Sequence, residues 1–516
     1  MAVAAAVLVM ATFLPVAAGP TGAGAQTAGA GEWELTAPLS VPRYDHTTTL
    51  MENGRVLAAG GRLVLPEQPV ELLATAEVFD SRTEQWGPTD DMNDARWDHT
   101  ATLLPDGRVL VAGGFGNPYG AGANAQPVLA SAEIYDPANR SWTPTGSMGE
   151  PRALHSAVLL QDGRVLVAGG RTCDQPPPVA CNFTFRSDSA EIFDPATGTW
   201  SPTDDLTIAR HTTSAALLPS GEVVIPAGFT SAGNGNTADI YDPGTGTFSA
   251  SGPLNVARAR QGAILLDDGR VLVAAGFGGG NTSEFYDPET DTWTLTGNVA
   301  AAARFNYYFA TLPDGTALIA GGQVPGVGIA TSAELYDPAT GTWSPAAEMN
   351  EPHGSSSSLS FSQAAVVISS DPFSFEARPQ VCGTNCGKVL VAGNSATGSV
   401  ELYTPETPEE HLSVSIDDAA NGDATRVQVR GTLSCPTGEV FLLEMDLSQG
   451  ETTGTGTTRG SCTGAPQTFS VRVTAGSGSA FVDGPGEACA TLQSAVRGSS
   501  AADQTIVVCE SVEISV

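Results

Sequence analysis

Residues 152–170 read RALHSAVLLQDGRVLVAGG, and after a variable loop residues 189–200 read SAEIFDPATGTW. HSAVLLQ reads as a strand. Asp162-Gly163 is a two-residue turn in which glycine accepts positive φ, and RVLVAGG is a returning strand rich in Val and Leu. AEIFD is a third short strand, and the turn Asp194-Pro195-Ala196-Thr197-Gly198 delivers Trp200 onto a fourth. Four strands without an intervening helical stretch predict a small antiparallel sheet. One such sheet cannot bury both faces, but a ring of them can.

The stretch recurs. Arg43, Arg96, Arg152, Arg210, Arg258 and Arg304 each stand eleven residues before a glycine, and each glycine stands six before a small-residue doublet, from Gly60-Gly61 to Gly321-Gly322. The arginines are spaced 46 to 58 residues apart, a period that marks a repeat architecture. An acid opens each third strand: Glu77, Glu133, Glu191, Asp239, Glu284, Glu334 and Glu401. An aromatic follows two residues later, and Trp86, Trp142, Trp200, Phe248, Trp293 and Trp343 close six of the copies as core between sheets. The seventh copy keeps GKVLVAGN (387–394) and VELY (400–403) but lacks the closing tryptophan segment, which stands instead at the other end as GEWEL (31–35). This predicts a ring closed by an N-terminal strand, a device that removes exposed sheet edges.

The doublet, the acid-x-aromatic-Asp step and the spaced tryptophan resemble the Kelch repeat family over roughly residues 31–405. The resemblance implies a seven-bladed β-propeller. A WD40 reading fails because the one Trp-Asp, Trp97-Asp98, is not periodic. After a Pro/Glu linker at 406–411, residues 412–516 run as short alternating strands separated by turns. The expected fold is therefore all-β: a propeller followed by a small disulfide-bonded β-sandwich.

Composition bounds the partners. Lys+Arg total 23 against 56 Asp+Glu, a net charge of −33. Such a chain is repelled by nucleic acid and anionic lipid. Residues 2–18 are small and apolar, which reads as a signal peptide over 1–25, with a membrane anchor as the alternative. Eight cysteines lie in close pairs. Eight allow 105 connectivities, and proximity selects Cys173–Cys181, Cys382–Cys386, Cys435–Cys462 and Cys489–Cys509 as expected disulfides. Leader and disulfides together predict a secreted or cell-surface monomer.

The arginine column, with His353 in its seventh slot, is expected near the axis of the ring. As an open ring, Arg43, Arg96, Arg152, Arg210, Arg258, Arg304 and His353 would bind an anionic ligand through bidentate contacts. One acid per basic group offers the other reading, ion pairs that tie each blade together. His46, His99 and His155 stand three residues after their arginines, in successive blades. Either they converge on a metal or they cap backbone by hydrogen bonding, and the second is the expectation. The architecture resembles galactose oxidase, whose copper site needs a Tyr cross-linked to Cys, a Tyr followed directly by His, and a His from the C-terminal domain. This chain has no Tyr-His dipeptide, and its second domain has no suitable His. The resemblance thus implies no copper set, no cofactor and no catalytic residue here. The long loops Gly170–Asp188 and Phe361–Gly387 suit partner recognition on a rigid scaffold, with tolerated insertion as the alternative, and Gly114–Val128, with Tyr119, suits contact with sugar. The expected function is extracellular, non-catalytic binding of a protein or glycan through propeller-face loops. The alternative is a carbohydrate-active enzyme, oxidase or glycosidase-like, using the central pore.

Overall fold

A computed structural model divides the chain into two compact units, Met1–Pro405 and Glu406–Val516. In the first it describes residues 31–405 apart from 66–67, 117–126, 174–184, 301–302, 355–364, 369–386 and 396; in the second it describes seven strands between Ser413 and Ile514.

Among the described residues the first unit holds seven four-stranded antiparallel sheets. In blade 3 the strands are Ser156–Leu159, Val165–Ala168, Ala190–Asp194 and Thr199–Pro202, from the axis outward. The seventh sheet uses Ala365–Val367, Val389–Ala392 and Val400–Thr404, and its outer strand is Glu32–Leu35, with Trp33 opposite Tyr403. The predicted closure by an N-terminal strand is what the chain does. Second strands such as VLVA at Val165–Ala168 are buried on both sides, because each sheet is covered by two neighbours.

The core is a set of seven apolar clusters, one between each pair of adjacent blades. Every blade carries the aromatic pair anticipated from the repeat. Phe193 and Trp200 have ring centroids 5.0 Å apart, and Trp33 and Tyr403 4.9 Å. Such a pair adds about 0.5–1.5 kcal/mol beyond its buried area.

A ring of backbone hydrogen bonds links the blades. The second doublet residue donates its N–H to the carbonyl of the next blade's column residue: Gly61 to Arg96, Gly114 to Arg152, Gly170 to Arg210, Gly228 to Arg258, Gly276 to Arg304, Gly322 to His353 and Asn394 to Arg43, at 2.8–3.0 Å. The doublet is small because these carbonyls are so close. At Gly169, with φ +64°, a Cβ would stand 2.6 Å from the Arg210 carbonyl, and at Gly170, with φ +104°, it would stand 2.8 Å from both the Ala153 carbonyl of its own blade and the His155 Cβ. Glycine tolerates both the dihedral and the crowding.

In the second unit the strands expected as two packed sheets form one continuous hydrogen-bonded order. It runs Ser413–Asp423, Arg426–Ser434, Gln467–Ala475, Thr452–Ser461, Glu439–Gln449, Gly484–Val496 and Gln504–Ile514, closed as a barrel. Ala419 beside Ile514, in parallel, makes the closing contact. Val427, Val429 and Leu433 on one strand, and Leu443, Met445 and Leu447 on another, are buried at alternate positions. That period of two suits an inward-facing row in a barrel as well as in a sandwich, so the pattern alone does not separate them. Cys489 stands directly opposite Cys509 in the ladder. Cys173 is disulfide-bonded, while Cys181, Cys382, Cys386, Cys435 and Cys462 lie outside the described residues.

Candidate functional site

The six column arginines are fully buried, at 0% exposure. Each guanidinium is consumed inside its own blade. Arg152 Nη1 donates to the carbonyls of Gly169 and Ser189, both at 3.0 Å, and Nη2 donates to Ser189 Oγ at 3.0 Å and Glu191 Oε1 at 2.8 Å. Glu191 also accepts the backbone N–H groups of Gly149 and Glu150. The other pairs are Arg43–Glu77, Arg96–Glu133, Arg210–Asp239, Arg258–Glu284 and Arg304–Glu334, at 2.5–3.1 Å. His353 repeats the arrangement, bonding Gly393 O through Nδ1 at 2.8 Å and Glu401 Oε1 through Nε2 at 3.1 Å. The open ligand-binding ring of Arg43, Arg96, Arg152, Arg210, Arg258, Arg304 and His353 is therefore replaced by seven buried clasps. Each clasp ties the segment entering a blade to that blade's third strand. The reason is stoichiometric: with one acid facing each base across the sheet, desolvating the pair together costs less than leaving either buried alone.

The histidine column is also structural. His99 Nε2 lies 3.0 Å from Thr47 Oγ1 and His155 Nε2 lies 2.9 Å from Thr100 Oγ1, each bridging to the preceding blade. Each ring edge packs on the first glycine of the preceding doublet: His99 on Gly60, His155 on Gly113, His46 on Gly393. Burial, with nearby arginines, holds His46 and His155 well below the ordinary imidazole range and lowers His99 to about 3. All three are neutral at physiological pH. They border a cavity of ≈160 Å³ that Thr47, Thr100, Ser156 and Thr213 of four successive blades also line, with room for a few waters.

What meets the axis is the residue two places after each arginine. Asp45, Asp98, Leu154, Thr212, Arg260 and Asn306 all have left-handed backbone, φ 50–58°, an unusual state for non-glycine residues that costs on the order of 1 kcal/mol or more each. Inter-blade hydrogen bonds hold them there: Asp98 N–H to Asp45 O, Leu154 to Asp98, Thr212 to Leu154 and Arg260 to Thr212, at 3.0–3.1 Å. Just outside this girdle the residue after each arginine bridges to the residue after each doublet, giving Tyr44–Arg62, Trp97–Phe115, Ala153–Arg171, His211–Phe229, Ala259–Phe277 and Phe305–Gln323. The result is a collar of aromatic and basic side chains. Arg62 lies over Trp97 at 4.2 Å and pairs with Asp45. Arg260 sits among Phe229, Phe277 and Phe305, 5.3–5.7 Å from each ring centroid. Burial, with Arg171, Arg186 and Arg260 beside it, keeps His211 well below its usual range.

The collar opens on the face where inner strands begin and where second strands hand over to third strands. Of nine exposed large hydrophobic residues among those described, six lie on these second-to-third connections: Val64, Leu65, Val70, Phe185, Phe277 and Val327. The opposite face is built of polar hairpin turns. There Arg55, Arg108, Arg164 and Arg270 each bond an aspartate at 2.5–2.9 Å. The sequence does not mark the collar residues as it marks the columns, because they do not repeat. They stand one and two places downstream of the arginines, where the residue type changes from blade to blade and no repeating pattern points to them. Much of the three long loops lies outside the described residues.

A family model described as "Kelch motif" matches residues 99–149. Among curated proteins, alpha-scruin of Limulus polyphemus is 30% identical over 171 residues, 33% of this chain and 17% of that protein. Spermatocyte protein spe-26 of Caenorhabditis elegans is 26% identical over 201 residues, 39% of this chain and 32% of that protein. The chain thus spans at most about a third of these relatives. A solved fungal alcohol oxidase of the AA5 family, in complex with copper, superposes with a TM-score of 0.53 at 15% identity, covering 94% of this chain and 100% of the other; that likeness shows the fold alone. The matching motif, the partial relatives and the shared fold agree on the architecture: the chain carries a Kelch motif and folds as a Kelch-type β-propeller.

Proposed function

We propose that this protein is a non-catalytic binding module acting outside the cytoplasm, and that a protein partner docks on the propeller face around the collar. The observation that carries this reading is the asymmetry of the disk. Six of the nine exposed large hydrophobic residues among those described lie on the second-to-third connections of four blades, and the face that exposes more large apolar side chains is the better candidate for an interaction surface. Val64, Leu65, Val70 and Val327 are aliphatic, which suits a protein surface better than a glycan, whose rings stack on aromatic planes. Kelch-repeat relatives accord with a scaffold role. The apolar leader at 2–18, the paired cysteines and the net charge of −33 support export.

The test uses two immobilised full-length variants. One carries Val64→Ser, Leu65→Ser, Val70→Ser and Val327→Ser; the other carries Arg108→Ser and Arg164→Ser on the turn face. Extracellular and surface proteins of the source cell are passed over each. A partner retained by the wild type and the turn-face variant but lost by the apolar-face variant supports the reading. Equal retention by both variants refutes it. N-terminal sequencing of the exported chain is expected to begin after residue 25.

A further inference from the structure

We propose that Arg171, Arg186 and Arg260 form a binding site, at the axial mouth of the propeller, for the carboxylate of a small organic acid with an apolar or aromatic body. The site shares a face with the docking surface above but does not depend on it.

Arg171 and Arg186 stand directly opposite each other in an antiparallel bridge. Like charges in that position destabilise a sheet unless something neutralises them. Arg171 Nε reaches only the His211 ring, 3.5 Å from Nε2, and the His211 ring in turn packs on Phe229 at 5.3 Å. Arg260 also stands over the Phe229 ring, 5.4 Å from its centroid, and acts electrostatically on His211 together with Arg171 and Arg186. It is 8% exposed, and its Nε is buried without an acceptor. Among the described residues its guanidinium makes no hydrogen bond or ion pair, and its neighbours are the three phenylalanine rings. Arg186 Nε is likewise buried without an acceptor, as are the Nε atoms of five column arginines, so what sets the group apart is the missing carboxylate. No carboxylate of the described residues lies within ion-pair distance of any of the three. Each column arginine of the same molecule has such a partner.

Among the described residues no acid compensates this charge directly. The carboxylate acting electrostatically on Arg171 and Arg260 is Asp98, at longer range. Burial, with Arg171's repulsion added and Asp98 opposing, lowers Arg260 to about 10. A desolvated guanidinium in this state gains most from a charge-assisted, two-pronged acceptor. Asp98 disfavours a dianion such as phosphate or sulfate and leaves a monoanionic carboxylate as the better fit. Phe229, Phe277 and Phe305 wall the site, and Phe277 is 45% exposed, so the ligand's apolar part has an edge to rest on. Arg260's burial limits access to a terminal group. That selects a free acid over a carboxylate embedded in a protein surface.

The test is calorimetric titration of the full-length protein with benzoate and 3-phenylpropionate, with benzamide as the neutral control. Inorganic phosphate and a glutamate-containing peptide serve as competing sources of negative charge. Saturable 1:1 binding of the acids but not of benzamide is expected. R260Q and R186Q should weaken it at least about tenfold, a loss of roughly 1.4 kcal/mol, while R164Q on the turn face leaves it intact. R186Q, at a half-buried position, guards against misfolding of R260Q, and melting curves verify both. Absence of acid binding, or undiminished binding to a natively folded R186Q, overturns the site. Preference for phosphate overturns the carboxylate assignment, and binding of the peptide alone overturns the small-molecule one. The apolar-face variant should bind the acids normally, which separates failure here from failure of the docking reading.

Discussion

The two faces of the propeller use the same amino acids for opposite ends. On the turn face Arg108, Arg164 and Arg270 pair with the aspartate two residues earlier, half in water, and repeat almost unchanged from blade to blade. On the mouth face Arg171, Arg186 and Arg260 hold different blade positions and lack acidic partners among the described residues, and Arg260 sits among aromatic rings. The six column arginines are buried where neither face reaches them. An arginine's surroundings thus decide whether it serves as solubility, clasp or ligand site, and the difference lies in which carboxylate the fold brings within reach.

Acid should separate the faces most strongly. His46, His99, His155 and His211, near the mouth, are held neutral by burial. Their unfolded pKa is near 6.5, so below that value the unfolded chain takes up protons the native state refuses. Stability is full above pH 6.5 and falls as pH drops toward the folded values, by up to about 1.4 kcal/mol per pH unit for each histidine. The turn-face Asp106, Asp162 and Asp268 lie below the ordinary aspartate value of 3.8; burial opposes the shift, and hydrogen bonds from Arg108, Arg164 and Arg270 outweigh it. Their contribution is present above that value and is lost only as pH falls through the folded ones. Denaturant midpoints measured from pH 8 to 4 should decline from about pH 6.5 downward, and His155→Gln should flatten the slope. A flat profile down to pH 4 would break the contrast.

Next in size is the clasp. Arg152→Ala leaves Glu191 buried without its partner and should cost about 3–5 kcal/mol. Arg164→Ala, on the turn face, should cost less than about 1 kcal/mol. Chemical denaturation of the two variants makes the comparison, and equal losses would mean that the buried pair contributes no more than the exposed one.

A matched glycine pair sharpens the contrast further. Gly269 in a turn-face hairpin and Gly276 at the mouth have φ of +86° and +85°. A Cβ on Gly269 meets nothing nearer than Pro219 Cγ at 3.7 Å, whereas on Gly276 it meets the Ala259 carbonyl at 2.8 Å and Gln261 Cβ at 3.0 Å. Gly269→Ala should cost about 1–2 kcal/mol from backbone strain alone. Gly276→Ala should cost about 1–3 kcal/mol more from crowding, and the difference in melting temperature isolates that part. Smallest of all, Val64→Ser with Val327→Ser should leave stability within about 0.5 kcal/mol of the wild type.

Much of the ring was legible because its rules are periodic. Arg152, Gly163, Gly169-Gly170, Glu191 and Trp200 are each demanded by local geometry that recurs in every blade, so they recur in the chain. The alternation of Val427, Val429 and Leu433 likewise announced strands. It was silent on sandwich against barrel, since closure is decided by which backbone meets which, at Ala419 and Ile514. Ligand or clasp was undecided for the arginine column, because a guanidinium reads identically in sequence whether or not a carboxylate faces it. The collar escaped notice for the opposite reason. Leu154, Thr212, Arg260 and Asn306 share a backbone conformation and no side-chain chemistry, so no residue pattern marks them.

The closing strand has a temporal meaning as well. Glu32–Leu35 is made early during synthesis, yet its partners are residues 401–404. Until the last blade emerges, Val400–Thr404 has no outer neighbour and the first strand has none at all. Sealing the ring is then the slowest step of assembly, as expected of a contact between distant parts of a chain. A nascent ring stalled before that step presents an unpaired edge to every other copy in its vicinity. Quality control during biogenesis has one seam to inspect, and a truncation that removes residues 32–35 is expected to yield aggregates rather than a looser monomer.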